Sequence, residues 1–312
     1  MNTALNGDTV EVALKEVSSR GRKEVQGEVV RVIERAKTAY VGVVAFDGST
    51  CQIIPDDKKM YVRIDIPSKD ALNLTKDDKA YVKLLPWTDP KKNPEGEVLK
   101  VLGKKGENDV EMESIVLDKG FAIGFPREVE EEATQIGLTQ KKIPPEEIAK
   151  RRDIRDTLTF TIDPHDAKDF DDAISFKELP GGLYEIGVHI ADVSHYVREG
   201  TALDKEAVKR GCSIYLVDRT IPMLPEILSN DICSLNPNED KLSFSTIFVM
   251  NDEARIKERW FGKTIMNSDH RFTYETAQAV IDGKTEPGHE HREVLTTLNK
   301  IAKVLQKDKF LE

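Results

Sequence analysis

The stretch TLTFTIDPHDAKDFDDAIS, residues 157–175, decides the reading of this chain: an apolar run ends on Asp163, and Asp169, Asp171 and Asp172 complete a quartet within ten residues. Carboxylates packed this closely repel one another by several kcal/mol at a low effective dielectric, on the order of the Coulomb energies near a protein surface. A folded chain keeps them together when a hard cation neutralises them. An oxygen-only donor set without Cys or His favours magnesium, manganese or calcium over zinc.

Residues 158–162 alternate β-branched and aromatic side chains and read as a strand that delivers Asp163 to a sheet edge. Pro164 and the polar run 165–168 form a loop, and a second strand starts near Ala173. Asp171 and Asp172 are neighbours that point opposite ways in extended chain, so they serve one site only if the backbone turns between them. An EF-hand is excluded, because counting from Asp169 its required Gly and Glu positions are occupied by Ile174 and Pro180. A phosphatase-type pair is excluded as well, since Asp169 does not follow an apolar strand. The competing interpretation is a solvated acidic loop. Against it stands the chemistry: carboxylates holding two divalent ions roughly 3.5–4 Å apart are the usual apparatus for phosphodiester cleavage.

TIDPHDAKDFDDAIS followed by GVHIADVSHYV resembles the catalytic signature of the ribonuclease II and ribonuclease R family, and the likeness continues through GTALDKEAVKRGCSIYLVDRTIPMLP and LSNDICSLNPNEDKLSFS. The HIADVSHYV run leans toward ribonuclease R. The resemblance implies a magnesium-dependent exonuclease (manganese serving as an alternative) that trims single-stranded RNA from its 3′ end and releases nucleoside 5′-monophosphates. By position Asp163, Asp169 and Asp172 match the family's metal-binding carboxylates, and Asp171 the one on which hydrolysis depends most. Tyr215 falls where the family places an aromatic that stacks on the terminal base, and Tyr274 matches a residue lining the RNA channel. His189 and His195, close to this signature, are read as structural or supporting residues rather than ligands.

The chain has 312 residues, 39% of them hydrophobic, which suits about two domains with real cores. No apolar run approaches the length of a membrane span, and the N-terminal MNTALNGDTV lacks a basic-then-apolar leader pattern, so the expected location is cytoplasmic. Cys51, Cys212 and Cys233 show no paired spacing and read as reduced, buried thiols. The net charge of −10 divides unevenly: residues 1–105 carry 19 Lys+Arg against 16 Asp+Glu, and the remainder is strongly acidic. That split fits an RNA-gripping front end on an acidic, metal-binding part.

The expected fold class is α+β: a cold-shock-type oligonucleotide-binding β-barrel, then the N-terminal part of a ribonuclease II-type catalytic domain with mixed sheets and helices. Residues 7–17 read as a strand and 18–23 as a link; the resemblance implies that 1–20 is the tail of a first barrel. Residues 21–103 form the barrel itself, with strands at 25–35, 39–46, 50–54, 60–66 and 79–85 closed by 97–102. Tyr40, Phe46, Tyr61 and Tyr81, with Arg35, Lys37, Lys58, Lys59 and Arg63 nearby, are candidate stacking faces and phosphate contacts, or else barrel core. Residues 104–155 read as a helical linker and 156–312 as the catalytic part, in which Pro180-Gly181-Gly182 turns one hairpin and 241–266 form another. The family's catalytic domain normally continues through an arginine-bearing phosphate clamp and a C-terminal RNA-binding barrel, so the resemblance implies a fragment. The rival function is an RNA-binding module that keeps barrel and aspartates without cutting; no obligate protein partner is indicated.

Overall fold

The computed structural model describes residues 2–19, 22–68 and 70–309, and the chain divides into two compact units, Met1–Gly124 and Phe125–Glu312. In the first, β1 (Thr9–Ser19) and β2 (Arg22–Glu34) pair antiparallel as a two-stranded sheet of their own. Five strands follow: β3 (Ala39–Asp47), β4 (Thr50–Pro55), β5 (Ile64–Ile66), β6 (Asp78–Leu84) and β7 (Gly96–Lys104), in sheet order β5-β4-β3-β6-β7. Segment 25–35, expected as a barrel strand, therefore belongs to the hairpin, and residues 96–104 take the fifth place. Alternation reports that a strand is half-buried without naming its partner, so the pattern fits either pairing. The expected link 18–23 is largely strand, with Ser19 opposite Arg22; residues 20 and 21, where the sequence suggests a domain boundary, lie outside the described residues.

Helix α1 (Asn108–Asp118) belongs to this first unit rather than to a linker. Lys79 holds it there, a buried ammonium on β6 that pairs with Asp56 at 2.6 Å and with Glu111 of α1 at 2.7 Å. Lys37 repeats the arrangement with Asp57 (3.3 Å) and Asp118 (2.7 Å).

The second unit opens with α2 (Arg127–Gln140) and α3 (Pro145–Ile148), so the expected linker is shared between the two units. Its seven-stranded sheet contains β8 (Arg152–Asp153), β9 (Thr159–Asp163), β10 (Asp172–Leu179) and β11 (Leu183–Ala191). After β11 come α4 (Val193–Tyr196), α5 (Ala202–Arg210) and a small ladder of β12 (Ile214–Tyr215) with β13 (Thr220–Ile221). The sheet resumes with β14 (Asp240–Asn251), β15 (Ile256–Asn267) and β16 (His270–Thr273), and α6 (Tyr274–Ile281) and α7 (Arg292–Lys309) end the unit. The strand order is β16-β9-β10-β11-β14-β15-β8; the two edge strands pair in parallel and the inner ones antiparallel.

One core joins α2, α5 and residues 224–235 to the sheet through Val129, Leu203, Leu228, Leu235 and Ile265. Another seats α6 and α7 on β9 and β16 around Phe160 and Phe272, whose rings meet edge to face at 5.5 Å. Alternation puts Ile186, Val188 and Ile190 of β11 on one face. Ile301 of α7 covers that face at Ile186, while Val188, Ile190, Phe244 and Phe261 are exposed. Among the described residues no helix is long and apolar enough to cross a membrane.

Candidate active site

Strand β9 ends on Asp163 and β10 begins on Asp172, and the intervening segment is drawn back by identifiable bonds. The Ala167 amide donates to Pro164 O at 3.2 Å and starts the turn. Phe170 is buried, its amide donating to Ser234 Oγ at 2.9 Å and its carbonyl accepting from the Leu235 amide at 2.9 Å. One residue on, the Asp171 carbonyl accepts from the Ala191 amide at 3.0 Å. A buried aromatic between Asp169 and Asp171 thus anchors the segment that carries the later aspartates.

The aspartates act on one another electrostatically. Asp163 is buried, with Oδ2 making no hydrogen bond of good geometry; burial, aided by the charges of Asp172 and Asp169 and opposed by the Thr161 hydroxyl and Arg271, pushes its carboxyl above the usual range. Asp171 is raised by burial of its carboxyl and then by the charges of Asp169, Asp172 and Asp163. Among the described residues no group of three or more His, Cys, Asp or Glu side chains is gathered as a ready metal cage. The donor chemistry nevertheless fits a hard divalent cation: four carboxylates, no thiolate or imidazole among them, and one buried oxygen without a hydrogen bond of good geometry.

Tyr215 is 69% exposed on β12 and is no core residue. It lines a cleft of about 590 Å³ with Asp163, Lys168, Asp169, Arg219 and Asn230. Burial, the charges of Asp169 and Asp171, and a hydrogen bond with Asp169 push its phenol up. Tyr274 is also exposed, at the first position of α6, directly after Thr273, which pairs with Asp163. His189 is fully buried between Ser245 Oγ (2.6 Å) and Ser175 Oγ (2.8 Å), and His195 lies 3.4 Å from the Arg151 guanidinium. Neither ring belongs to the quartet.

In the first unit Tyr40 is barrel core, while Phe46 and Tyr61 are exposed. Arg35 is taken by Asp8 at 2.7 Å and Lys37 by its two aspartates, so these two cations are already committed within the unit. Cys51 and Cys233 are buried as expected, but Cys212 is exposed because it follows Gly211 at the left-handed end of α5.

The residue the sequence did not reveal is Arg271 on β16. Its Nη2 donates to Pro164 O (3.0 Å), His165 O (2.8 Å) and Ala167 O (3.4 Å), its guanidinium lies over Phe170, and its charge acts on Asp163. A lone arginine more than a hundred positions from the loop carries no motif.

The RNB domain family matches residues 151–312 and the cold shock domain family residues 53–126. Over 91% of its length the chain is 39% identical to ribonuclease R of Aquifex aeolicus, and over 72% it is 41% identical to DIS3-like exonuclease 2 of Xenopus tropicalis. It spans 39% and 28% of those two proteins, respectively. The solved structure of Mycoplasma genitalium RNase R in complex with ribose methylated single-stranded RNA superposes with a TM-score of 0.87 at 28% identity, covering 98% of this chain and 48% of that one.

Proposed function

Because the chain belongs to the RNB domain family, we propose that Asp163, Asp169, Asp171 and Asp172 form the hydrolytic centre of a magnesium-dependent 3′-to-5′ exoribonuclease releasing nucleoside 5′-monophosphates. The observation that carries this reading is the cleft that Asp163 and Asp169 line together with Tyr215, with the Asp163 carboxyl itself largely buried; Asp171 and Asp172 lie outside its lining. Asp163, Asp169 and Asp172 would hold magnesium or manganese, and a bound ion would supply Lewis acidity and offset the charge developing on the phosphate. Asp171, the carboxylate crowded by the other three, is the residue on which hydrolysis depends.

The chain's own side chains set the substrate. Exposed Tyr215 offers a face on which the 3′-terminal base stacks, about 1–3 kcal/mol of holding per base. Lys168 in the same cleft brings positive charge toward the phosphates, whereas Arg219 is paired with Asp218 at 2.8 Å; Tyr274 stands where the strand approaches. Exposed Phe46 and Tyr61 give the first unit further platforms for single-stranded RNA. The cytoplasm, where RNA is turned over, is the matching compartment.

A second reading, RNA capture without cutting, is favoured by one observation: the carboxylates are not gathered as a metal cage among the described residues. RNA labelled at its 5′ or 3′ end and incubated with magnesium separates the two. Nuclease chemistry releases mononucleotides from the 3′ end, and Asp171→Asn lowers the rate by at least about a hundredfold while RNA affinity stays within about threefold, as expected for loss of a transition-state interaction. Turnover of that variant within tenfold of the parent overturns the assignment; retention of intact RNA by the parent selects the capture reading.

A further inference from the structure

Thr161 Oγ1, Asp163 Oδ2 and Arg271 Nε are buried without a hydrogen bond of good geometry, although the Thr161 hydroxyl acts on the Asp163 carboxyl and lowers its pKa. The parallel pairing of β16 with β9 sets Arg271 opposite Thr161 and Thr273 opposite Asp163. Alternation then gives Thr161 and Asp163 a common face. From that position Nη2 of the guanidinium reaches three loop carbonyls, at Pro164, His165 and Ala167, and its carbon lies 4.8 Å from the centre of the Phe170 ring. A group serving the core alone has its donors satisfied; here Nη2 is bonded to the loop while Nε is buried without a partner, and the guanidinium charge acts on Asp163.

We propose that Arg271 is the positioning residue of the carboxylate site: it ties the loop at residues 164–167 to β16 beside Asp163 and sets a fixed positive charge against that carboxyl before any cation arrives. This rests on the nuclease reading for its purpose but not for its geometry. The planar, multi-donor guanidinium suits the task, since it bonds several carbonyls while placing its charge over the Phe170 ring. A lysine would keep the charge and lose the fork.

The test compares the full chain with Arg271→Met and Arg271→Lys by two measurements: amide hydrogen exchange across residues 164–167, and Mn²⁺ titration followed by electron paramagnetic resonance. In both variants the loop amides exchange at least tenfold faster than in the parent while β10, β11 and β14 keep their protection, and Arg271→Met binds Mn²⁺ at least tenfold more weakly. Loop exchange within twofold of the parent in both variants overturns the proposal, as does unchanged Mn²⁺ affinity in Arg271→Met. Should Arg271→Met fail to fold, Arg271→Lys decides by the loop exchange. A parent that takes up no Mn²⁺ defeats the metal reading of the quartet, and the loop exchange still decides the role of Arg271.

Discussion

His189 lies in the middle of β11 with Ser245 on one ring nitrogen and Ser175 on the other, and a Cβ on Gly187 would come within 2.5 Å of its ring. Burial, and then the charge of Arg152, lowers its pKa from 6.5 to about 4. An unfolded histidine takes up its proton near pH 6.5 whereas the folded one stays neutral, so this contribution to stability is complete above pH 6.5 and is lost as pH falls toward 4. At about 1.4 kcal/mol per pH unit the whole effect is on the order of 3 kcal/mol. The expected outcome is that the urea midpoint of the parent drops between pH 7 and pH 5 more steeply than that of His189→Gln; parallel slopes would show that His189 is not the group responsible. At this scale the sequence was informative where the chemistry is local. Asp163, Asp169, Asp171 and Asp172 are readable because they share a ten-residue window and a strand end, and Tyr215 is reached through family resemblance. Arg271 is hidden because its meaning lies in carbonyls a hundred positions away, and backbone carbonyls have no signature in a sequence.

Between the elements, Arg151 acts as a cross-brace. Its guanidinium is fully buried and bonds Asp192 just beyond β11 at 2.7 Å, Glu147 of α3 at 2.8 Å, and the carbonyls of Ser243 on β14 and Thr264 on β15 at 3.4 Å. Asp192 itself is 2% exposed and is held well below the usual carboxylate range, against its burial, by Arg151, Lys263 and Ser194. Removing one partner of such a pair strands the other charge in the interior. Arg151→Met should therefore cost about 3–5 kcal/mol of stability in denaturant unfolding, and a loss below about 1 kcal/mol, the range of surface pairs, would contradict the brace. The hairpins β10–β11 and β14–β15 are legible from alternation and turn residues: Gly181 and Gly182 take φ of +81° and +71°, which glycine adopts without strain. Strand β2 is misread for the opposite reason, since its alternation is equally compatible with a barrel and only its pairing with β1 decides.

On the scale of the whole molecule, the division at residue 124 leaves one tryptophan in each unit, Trp87 in the first and Trp260 in the second. Each is a private reporter of its own unit. With Trp87→Phe and Trp260→Phe as the two single-tryptophan backgrounds, Arg151→Met should lower the unfolding midpoint seen by Trp260 and leave that seen by Trp87 unchanged; a common shift would show that the units unfold as one. The parallel pairing of β9 with β16 also gives the site a schedule. Antiparallel neighbours such as β10 and β11 join as soon as their turn has been made, but β9 acquires its second partner only after residues 270–273 exist. At roughly 5–20 residues per second of synthesis, the interval between Asp172 and Thr273 is on the order of 5–20 s. During that interval a growing chain on the ribosome carries all four aspartates and gains the Ala191 and Leu235 amides that bond Asp171 and Phe170, but not the Arg271 bonds to residues 164–167, so translation itself completes the loop's fastening late.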